Sequence, residues 1–175
     1  MAITATVFVG TSLDGFIARL NGSFDFLPED GGEEHGYAAF MASVDAIVIG
    51  RNTYEVCLGF EAWPYDKPVF VLTTRSIRLP NSSNAIVERL EGLPKEIVST
   101  LEGRGFRHLY VDGGITIQRF LSEGLIQRLI ITRVPVLIGS GIPLFGPLPH
   151  DVKLRHVATR QYNSGLVSSE YDIIG

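Results

Sequence analysis

Two short stretches of this chain carry the residue types that bind phosphate. The apolar run Ala46-Ile47-Val48-Ile49 ends abruptly in Gly50-Arg51-Asn52-Thr53, where a helix can start. Glycine lets backbone approach a ligand closely. A helix N-terminus offers unpaired N–H groups and a partial positive charge. Arg51 and Thr53 add a charged fork and a hydroxyl at the same place. The strand-glycine-helix pattern returns at Leu109-Tyr110-Val111-Asp112-Gly113-Gly114-Ile115. Taken singly, each also reads as a plain strand-to-helix turn. Together they suggest a bound molecule with several phosphates, such as a dinucleotide, with pyrophosphate against the N–H groups of Gly113 and Gly114. Phosphate would repel Asp112, which suits capping the helix or bracing the turn.

Two carboxylates are candidates for acid–base work. Asp14 belongs to an Asp-Gly pair after the first strand, which serves turn chemistry equally well. Glu34 lies in Glu33-Glu34-His35 at a helix start, where acidic residues also complement the dipole. Near an apolar ring such a carboxyl can hold a proton at neutral pH, which general acid work needs. Trp63, Pro64 and Tyr65 can wall a pocket or simply pack. Cys57 is the only cysteine, so no internal disulfide can form, and with no catalytic partner in sequence it reads as packing. His35, His108, His150 and His156 lack metal-ligand spacing, and no metal is expected. Gly139-Ser140-Gly141 is not a dinucleotide fingerprint, because Pro143 falls where the helix should run. It reads as a loop shaped for a substrate or a dimer contact.

These residues need elements to hold them. Strand patterns run over Ile3–Thr11, Ala46–Ile49, Val69–Leu72, Ala85–Val87, His108–Val111 and Arg128–Val134. Two more, Leu154–Tyr162 and Leu166–Ile173, are joined by the turn signal Asn163-Ser164-Gly165 and read as an antiparallel hairpin. Helices are expected at Glu33–Ser43, Thr53–Leu58, Pro94–Glu102 and Thr116–Glu123. Strands alternating with helices imply an α/β fold, a mainly parallel sheet with helices on both faces. Gly22–Gly36 and Leu137–Asp151 are the longest irregular stretches, and long loops often border a ligand site.

Composition bounds the function. The 175 residues fit one domain, 1–175, with 45% hydrophobic and 19% charged residues. A net charge of −4 gives no electrostatic reason to expect nucleic acid or an anionic membrane as partner. No apolar run approaches the ~18 residues of a membrane span. The N-terminus has no basic n-region and reads as a strand, so a cytoplasmic protein is expected.

The elements together resemble the dihydrofolate reductase fold, and more closely the reductase domain of the riboflavin-biosynthesis protein RibD and its stand-alone relatives. Five segments carry the resemblance over nearly the whole chain: Thr11-Ser12-Leu13-Asp14-Gly15-Phe16-Ile17-Ala18, Val48-Ile49-Gly50-Arg51-Asn52-Thr53-Tyr54-Glu55, Pro68 to Arg75, Val111-Asp112-Gly113-Gly114, and Pro135 to Phe145. The resemblance implies a three-layer fold and an NADPH-dependent oxidoreductase that passes hydride to a small heterocyclic, carbonyl or imine substrate. It implies Ile17 and Ala18 beside the nicotinamide, and Asp14 near nicotinamide and substrate. It places Leu72, Thr73, Thr74 and Arg75 at the adenosine end, and Val111, Gly113, Gly114, Ile115 and Thr116 at the pyrophosphate. An ungapped count back from Gly50 sets Glu34 at the folate enzymes' acidic position. Arg51 and Arg75 both near the adenosine end favour NADPH over NADH, which lacks the extra dianion.

Two departures narrow the expectation. RibD's fused deaminase domain and its zinc set are absent, and the first loop has no tryptophan. The alternatives are reduction of a riboflavin precursor, 5-amino-6-ribosylaminouracil phosphate, and a non-catalytic NADPH-binding protein. The family and the apolar Leu129–Leu137 segment suggest a homodimer, although that segment also reads as a central buried strand.

Overall fold

Strands form where apolar residues run without a break and can be covered on both faces. The computed structural model describes residues 2–28 and 35–175. Its clearest case is β3 (Ala46–Gly50), in which Ala46, Ile47, Val48 and Ile49 are all 0% exposed. Parallel to β3 on one side runs β4 (Val69–Leu72), and beyond it β5 (Val87–Leu90). On the other side run β6 (His108–Asp112), β1 (Thr4–Ser12) and β7 (Arg128–Val134), again all parallel. A terminal hairpin, β9 (Lys153–Gln161) and β10 (Val167–Ile174), adds two antiparallel strands with β10 against β7. The order is β5-β4-β3-β6-β1-β7-β10-β9. This is the mainly parallel sheet with a C-terminal hairpin that the sequence predicts. Gly165, at φ +93°, makes the hairpin turn, and its N–H donates to the Tyr162 carbonyl.

The helices cover both faces. On one side α1 (Tyr37–Ser43) and α2 (Arg51–Leu58) bring Phe40 and Tyr54 onto Ile47, Ile49, Val69, Val71 and Tyr110. On the other, α3 (Pro94–Gly103) and α4 (Gly114–Ser122) pack Ile97, Leu101, Ile117 and Phe120 onto Val7, Val48, Phe70 and Val111. The alternation of side chains along each strand separates the two clusters. One consequence fixes the site. From β3 the chain leaves through α2 toward β4, but from β6 it leaves through α4 toward β7 on the opposite side. Neighbouring strands whose connections diverge leave a crevice at their carboxyl ends, where ligands bind in open α/β sheets.

Some expectations need correcting. The strand expected at Ala85–Val87 is β5, at Val87–Leu90. As an edge strand it carries exposed Glu88 and Arg89, which masked its apolar signal. α2 and α4 begin at Arg51 and Gly114, two residues earlier than expected, so both start immediately after a glycine. Two very short strands were not expected: β2 (Phe16–Ala18) and β8 (Ile142–Pro143), which pair antiparallel. The helix expected at Glu33–Ser43 is α1, which begins only at Tyr37 after Gly36 at φ +84°, a left-handed conformation outside the helix; Glu33 and Glu34 lie outside the described residues. Leu129, Ile131 and Val134 are buried in β7 between β1 and β10, so that part of the apolar segment is interior strand and offers no free docking face.

Candidate active site

The two glycine junctions meet at the crevice. A Cβ on Gly50 would lie 2.7 Å from Thr116 Oγ1, and a Cβ on Gly113 would lie 2.6 Å from Thr53 Oγ1. The start of α2 and the start of α4 therefore face each other across the ends of β3 and β6. Neither helix has a side-chain cap or an acidic residue in its first turn. Their first N–H groups and the positive ends of their dipoles are left for a ligand. Gly113 sits at φ +97°, a conformation that side chains disfavour. Its own N–H donates to Asp112 Oδ1 at 2.8 Å. The N–H groups of Gly114, Ile115 and Thr116 form the first turn of α4 and have no intrahelical acceptor, the first such bond being Ile117 N–H to the Gly113 carbonyl. Thr116 is buried with its hydroxyl against Gly50, Ile115 is exposed, and the Val111 side chain lies wholly in the core.

Arg51 and Arg75 come to the same region in different ways. Arg51 Nη1 donates to the Ser76 carbonyl at 3.0 Å, and Nη2 lies 3.5 Å from Glu55 Oε1. Arg51 therefore anchors the loop after β4. Arg89 on β5 donates to the Thr74 carbonyl at 3.0 Å, and the Tyr54 hydroxyl donates to the Arg78 carbonyl. Thr73 Oγ1 accepts from the Arg75 backbone N–H at 3.2 Å. The Arg75 side chain is exposed and is bonded to no other side chain among the described residues. Leu72 packs half-buried at the end of β4. Arg89 was not anticipated, because its strand was misplaced.

The loops after β1 and β7 hold each other. Leu13 N–H donates to the Val136 carbonyl and Leu144 N–H to the Gly15 carbonyl, at 2.8 and 3.0 Å. β2 and β8 pair between them. Asp14 braces this arrangement: Oδ1 accepts from Ile138 N–H at 3.3 Å and Oδ2 from Gly139 N–H at 2.8 Å. A hydrogen bond from Ser12, then those from Gly139 and Ile138, lower its pKa. A carboxylate held ionised in this way suits positioning the loop better than giving a proton. Ile17 presses on the Gly113-Gly114 turn, since a Cβ on Gly114 would lie 3.0 Å from Ile17 Cδ1 and 3.3 Å from Ile142 Cγ2. Ala18 is buried beside it. Gln118 on α4 ties the same loop down, donating to the Pro143 carbonyl at 3.1 Å. Glu34 lies outside the described residues.

The structure adds a residue that sequence reasoning set aside as a brace. Asp112 shares the α1 and α2 face of β6 with Tyr110, next to the Gly113-Gly114 turn. Burial raises its pKa, against the hydrogen bonds from Gly113 and Tyr110. The Tyr110 hydroxyl lies 3.2 Å from the Phe8 carbonyl and 3.3 Å from Asp112 Oδ2. One hydroxyl proton cannot fully serve both acceptors. Aromatic rings pack in and against the core cluster that holds Tyr110: Phe8 stacks on Phe40 at 4.7 Å, Phe40 meets Tyr110 edge-on at 5.0 Å, and Trp63 meets Tyr65 at 5.6 Å. Cys57 Sγ lies 3.9 Å from the Tyr65 hydroxyl, and burial pushes its thiol up to about 11, so it stays neutral. Trp63 Nε1 is buried without a hydrogen-bond partner. No group of metal-ligating side chains forms among the described residues. Nor, among them, is any helix long and apolar enough to cross a membrane.

Comparison with known proteins agrees with this geometry. The profile of the RibD C-terminal domain matches residues 4–168. The uncharacterized protein YwjB of Bacillus subtilis (strain 168) is 34% identical over 91% of this chain and 92% of its own. A Shewanella sp. PV-4 structure attributed to riboflavin biosynthesis superposes with a TM-score of 0.91 at 38% identity, covering 99% of this chain and 100% of the other. At the level of fold alone, the deaminase and 5-amino-6-(5-phosphoribosylamino)uracil reductase of Thermotoga maritima matches at TM-score 0.79 and 14% identity, over 99% of this chain and 57% of its own. So does the Enterococcus faecalis dihydrofolate reductase complexed with NADP(H), at TM-score 0.63 and 15% identity over 97% and 94%.

Proposed function

The chain belongs to the RibD C-terminal domain family, and from that premise we propose that it is an NADPH-dependent reductase acting on a C=N or C=O group of a small heterocyclic or sugar-like substrate. The observation that carries the proposal is the pair of uncapped helix N-termini facing each other at the β3/β6 crevice, brought close because Gly50 and Gly113 leave room for the Thr116 and Thr53 hydroxyls. This chemistry fits a pyrophosphate. Bound there, NADPH would supply the hydride.

The chain's own residues do the rest. Gly114, Ile115 and Thr116 donate backbone N–H groups to the pyrophosphate. Arg75, on a loop held by Arg51 and Arg89, pairs with the adenosine-side phosphate. Ile17 and Ala18 exclude water on the nicotinamide side, and Asp14 fixes the loop behind them. Asp112, whose pKa burial raises, is a candidate to give a proton to the substrate atom that gains negative charge as hydride adds to its neighbour. Glu34 stays a candidate for the same task.

Reduction of a riboflavin precursor is the second reading, favoured by the family and by the activity named for the Thermotoga maritima protein. A cytoplasmic homodimer also belongs to the proposal, resting on the family now that β7 is interior. The test is NADPH oxidation, followed by the absorbance of reduced nicotinamide, with pteridines, riboflavin precursors and simple carbonyl compounds. Consumption with at least one compound is expected. No consumption by a protein that binds NADPH would favour a non-catalytic nucleotide-binding role.

A further inference from the structure

We propose that the hollow between α1 and the β1, β7, β10 and β9 strands is a second ligand site, which takes a small monocarboxylate with an apolar body. Strand register builds its floor. Phe8, Ile130, Glu170 and Ala158 stand in one row across β1, β7, β10 and β9, and Ser168 and Arg160 are partners in the next row. Phe40 of α1 stacks on Phe8 at 4.7 Å and forms one wall, leaving ≈ 280 Å³ open beside it. The long irregular Gly22–Gly36 stretch ends here, with His35 and Gly36 at the rim. Phe8 and Ile130 belong to interior strands, yet both are only half-buried. On the opposite face of the same strands Val7, Leu129 and Ile131 are buried. The α1 face therefore keeps apolar surface that a ligand can cover. Usual ligand pockets hold roughly 300–1,000 Å³, so this one suits a body of about a single ring.

Charge then decides the head group. Glu170 is already paired, with Arg128 Nη1 at 2.9 Å from its Oε1. Arg160 is exposed, and among the described residues its side chain makes no hydrogen bond or ion pair. The hydroxyls of Tyr162 and Ser168 line the same cavity and are likewise unbonded to other residues. A guanidinium fork holds a carboxylate by two parallel hydrogen bonds, and the hydroxyls can donate to it as well. A dianionic phosphate is a poorer fit. It would bring a second charge beside Glu170, and no further arginine and no lysine lines the cavity. None of the lining residues belongs to the Gly50 or Gly113 turn. The inference therefore stands apart from the β3/β6 crevice and from the reductase reading.

Benzoate is the probe, compared with its neutral isostere benzamide and with phenyl phosphate. Each is titrated into isotope-labelled protein without cofactor, and amide chemical shifts are followed. Benzoate at millimolar concentration should move, saturably, the resonances of α1 and those around Ile130, Ala158 and Ser168. Benzamide should bind at least roughly tenfold more weakly, through loss of the charged hydrogen bonds. Phenyl phosphate should also bind more weakly than benzoate. Arg160→Gln removes a side chain that holds nothing else, and should bring benzoate down to the level of benzamide. The inference is overturned if benzoate moves no resonance, or only those of Gly113 to Thr116. Equal benzoate binding by the parent and Arg160→Gln overturns it too, as does phenyl phosphate binding as tightly as benzoate. NADPH plays no part in these readouts, so a failed reductase assay leaves them unaffected.

Discussion

Removing the Arg75 side chain should separate the two nicotinamide cofactors. Arg75 is exposed and bonded to no other side chain among the described residues, while its loop is held independently by Arg51 at the Ser76 carbonyl and Arg89 at the Thr74 carbonyl. Arg75→Ala therefore leaves the loop's anchors in place and deletes only the free guanidinium. Hydrogen bonds to a charged group contribute about 1.5–3 kcal/mol, which is a loss of roughly 10- to 150-fold in NADPH affinity. NADH has no phosphate there, so its affinity should stay within about twofold, the scale of an ordinary surface substitution. Arg51→Ala is expected to act less selectively. It loses an anchor and a half-exposed pair with Glu55 at 3.5 Å, and exposed i,i+4 pairs contribute only ~0.3–0.5 kcal/mol. Calorimetric titration of the parent and both variants with NADPH and NADH provides the comparison. Equal losses for both cofactors in Arg75→Ala would refute the phosphate assignment, since the side chain would then be serving structure or the common part of the dinucleotide.

Three further outcomes follow from named contacts. Gly113→Ala should destabilise the fold by about 1–3 kcal/mol, from strain at φ +97°, and add the clash with Thr53 Oγ1 at 2.6 Å. Adding Thr53→Ala should recover only the clash, and a melting temperature unchanged by the first substitution would contradict the described turn. Asp112→Asn should stabilise the protein at neutral pH and above. Because burial raises this carboxyl's pKa, the cost of ionising it in the fold appears as pH rises from the ordinary carboxylate range through the folded pKa, and is absent in stronger acid. A gain of equal size in acid would show that charge is not the cause. Asp14 has the opposite sign: its lowered pKa means that the brace holds at neutral pH and loosens as acid protonates it. Protease cleavage within the Pro135–Phe145 segment should be faster in Asp14→Asn, and a cleavage rate identical to the parent's would remove the brace from the account.

The parts of this molecule that were readable from sequence are those where one physical signal dominates. β3 and β6 are largely apolar runs because both faces are covered, and a glycine is needed at the end of each: Gly113 for its φ of +97°, Gly50 because a Cβ would lie 2.7 Å from Thr116 Oγ1. The hairpin turn at Asn163-Ser164-Gly165 is equally local. What sequence missed depends on contacts between distant segments. β2 and β8 have two or three residues each and exist only because the loops after β1 and β7 lie together. Asp14 reads as a possible acid until its two loop N–H donors, more than a hundred residues away, are in place. Asp112 reads as a brace of the turn, which its hydrogen bond from Gly113 N–H supports, but its contact with the Tyr110 hydroxyl and its burial depend on the packed face of β6. The role of Arg89 depended on a strand whose edge position hid its pattern. Glu34 was chosen by counting, and lies outside the described residues.

The account stands on the β3/β6 crevice as an NADPH site, and thermal unfolding in the presence of NADPH tests that most directly. A ligand bound only by the native state at a hundred times its Kd stabilises it by about 2.7 kcal/mol. For a domain of this size, each kcal/mol raises the Tm by roughly 2–4 °C. The expected result is a saturable rise of about 5–10 °C with NADPH, smaller with NADH at the same concentration. No rise at millimolar NADPH would contradict the cofactor assignment, and with it the reductase chemistry built on it.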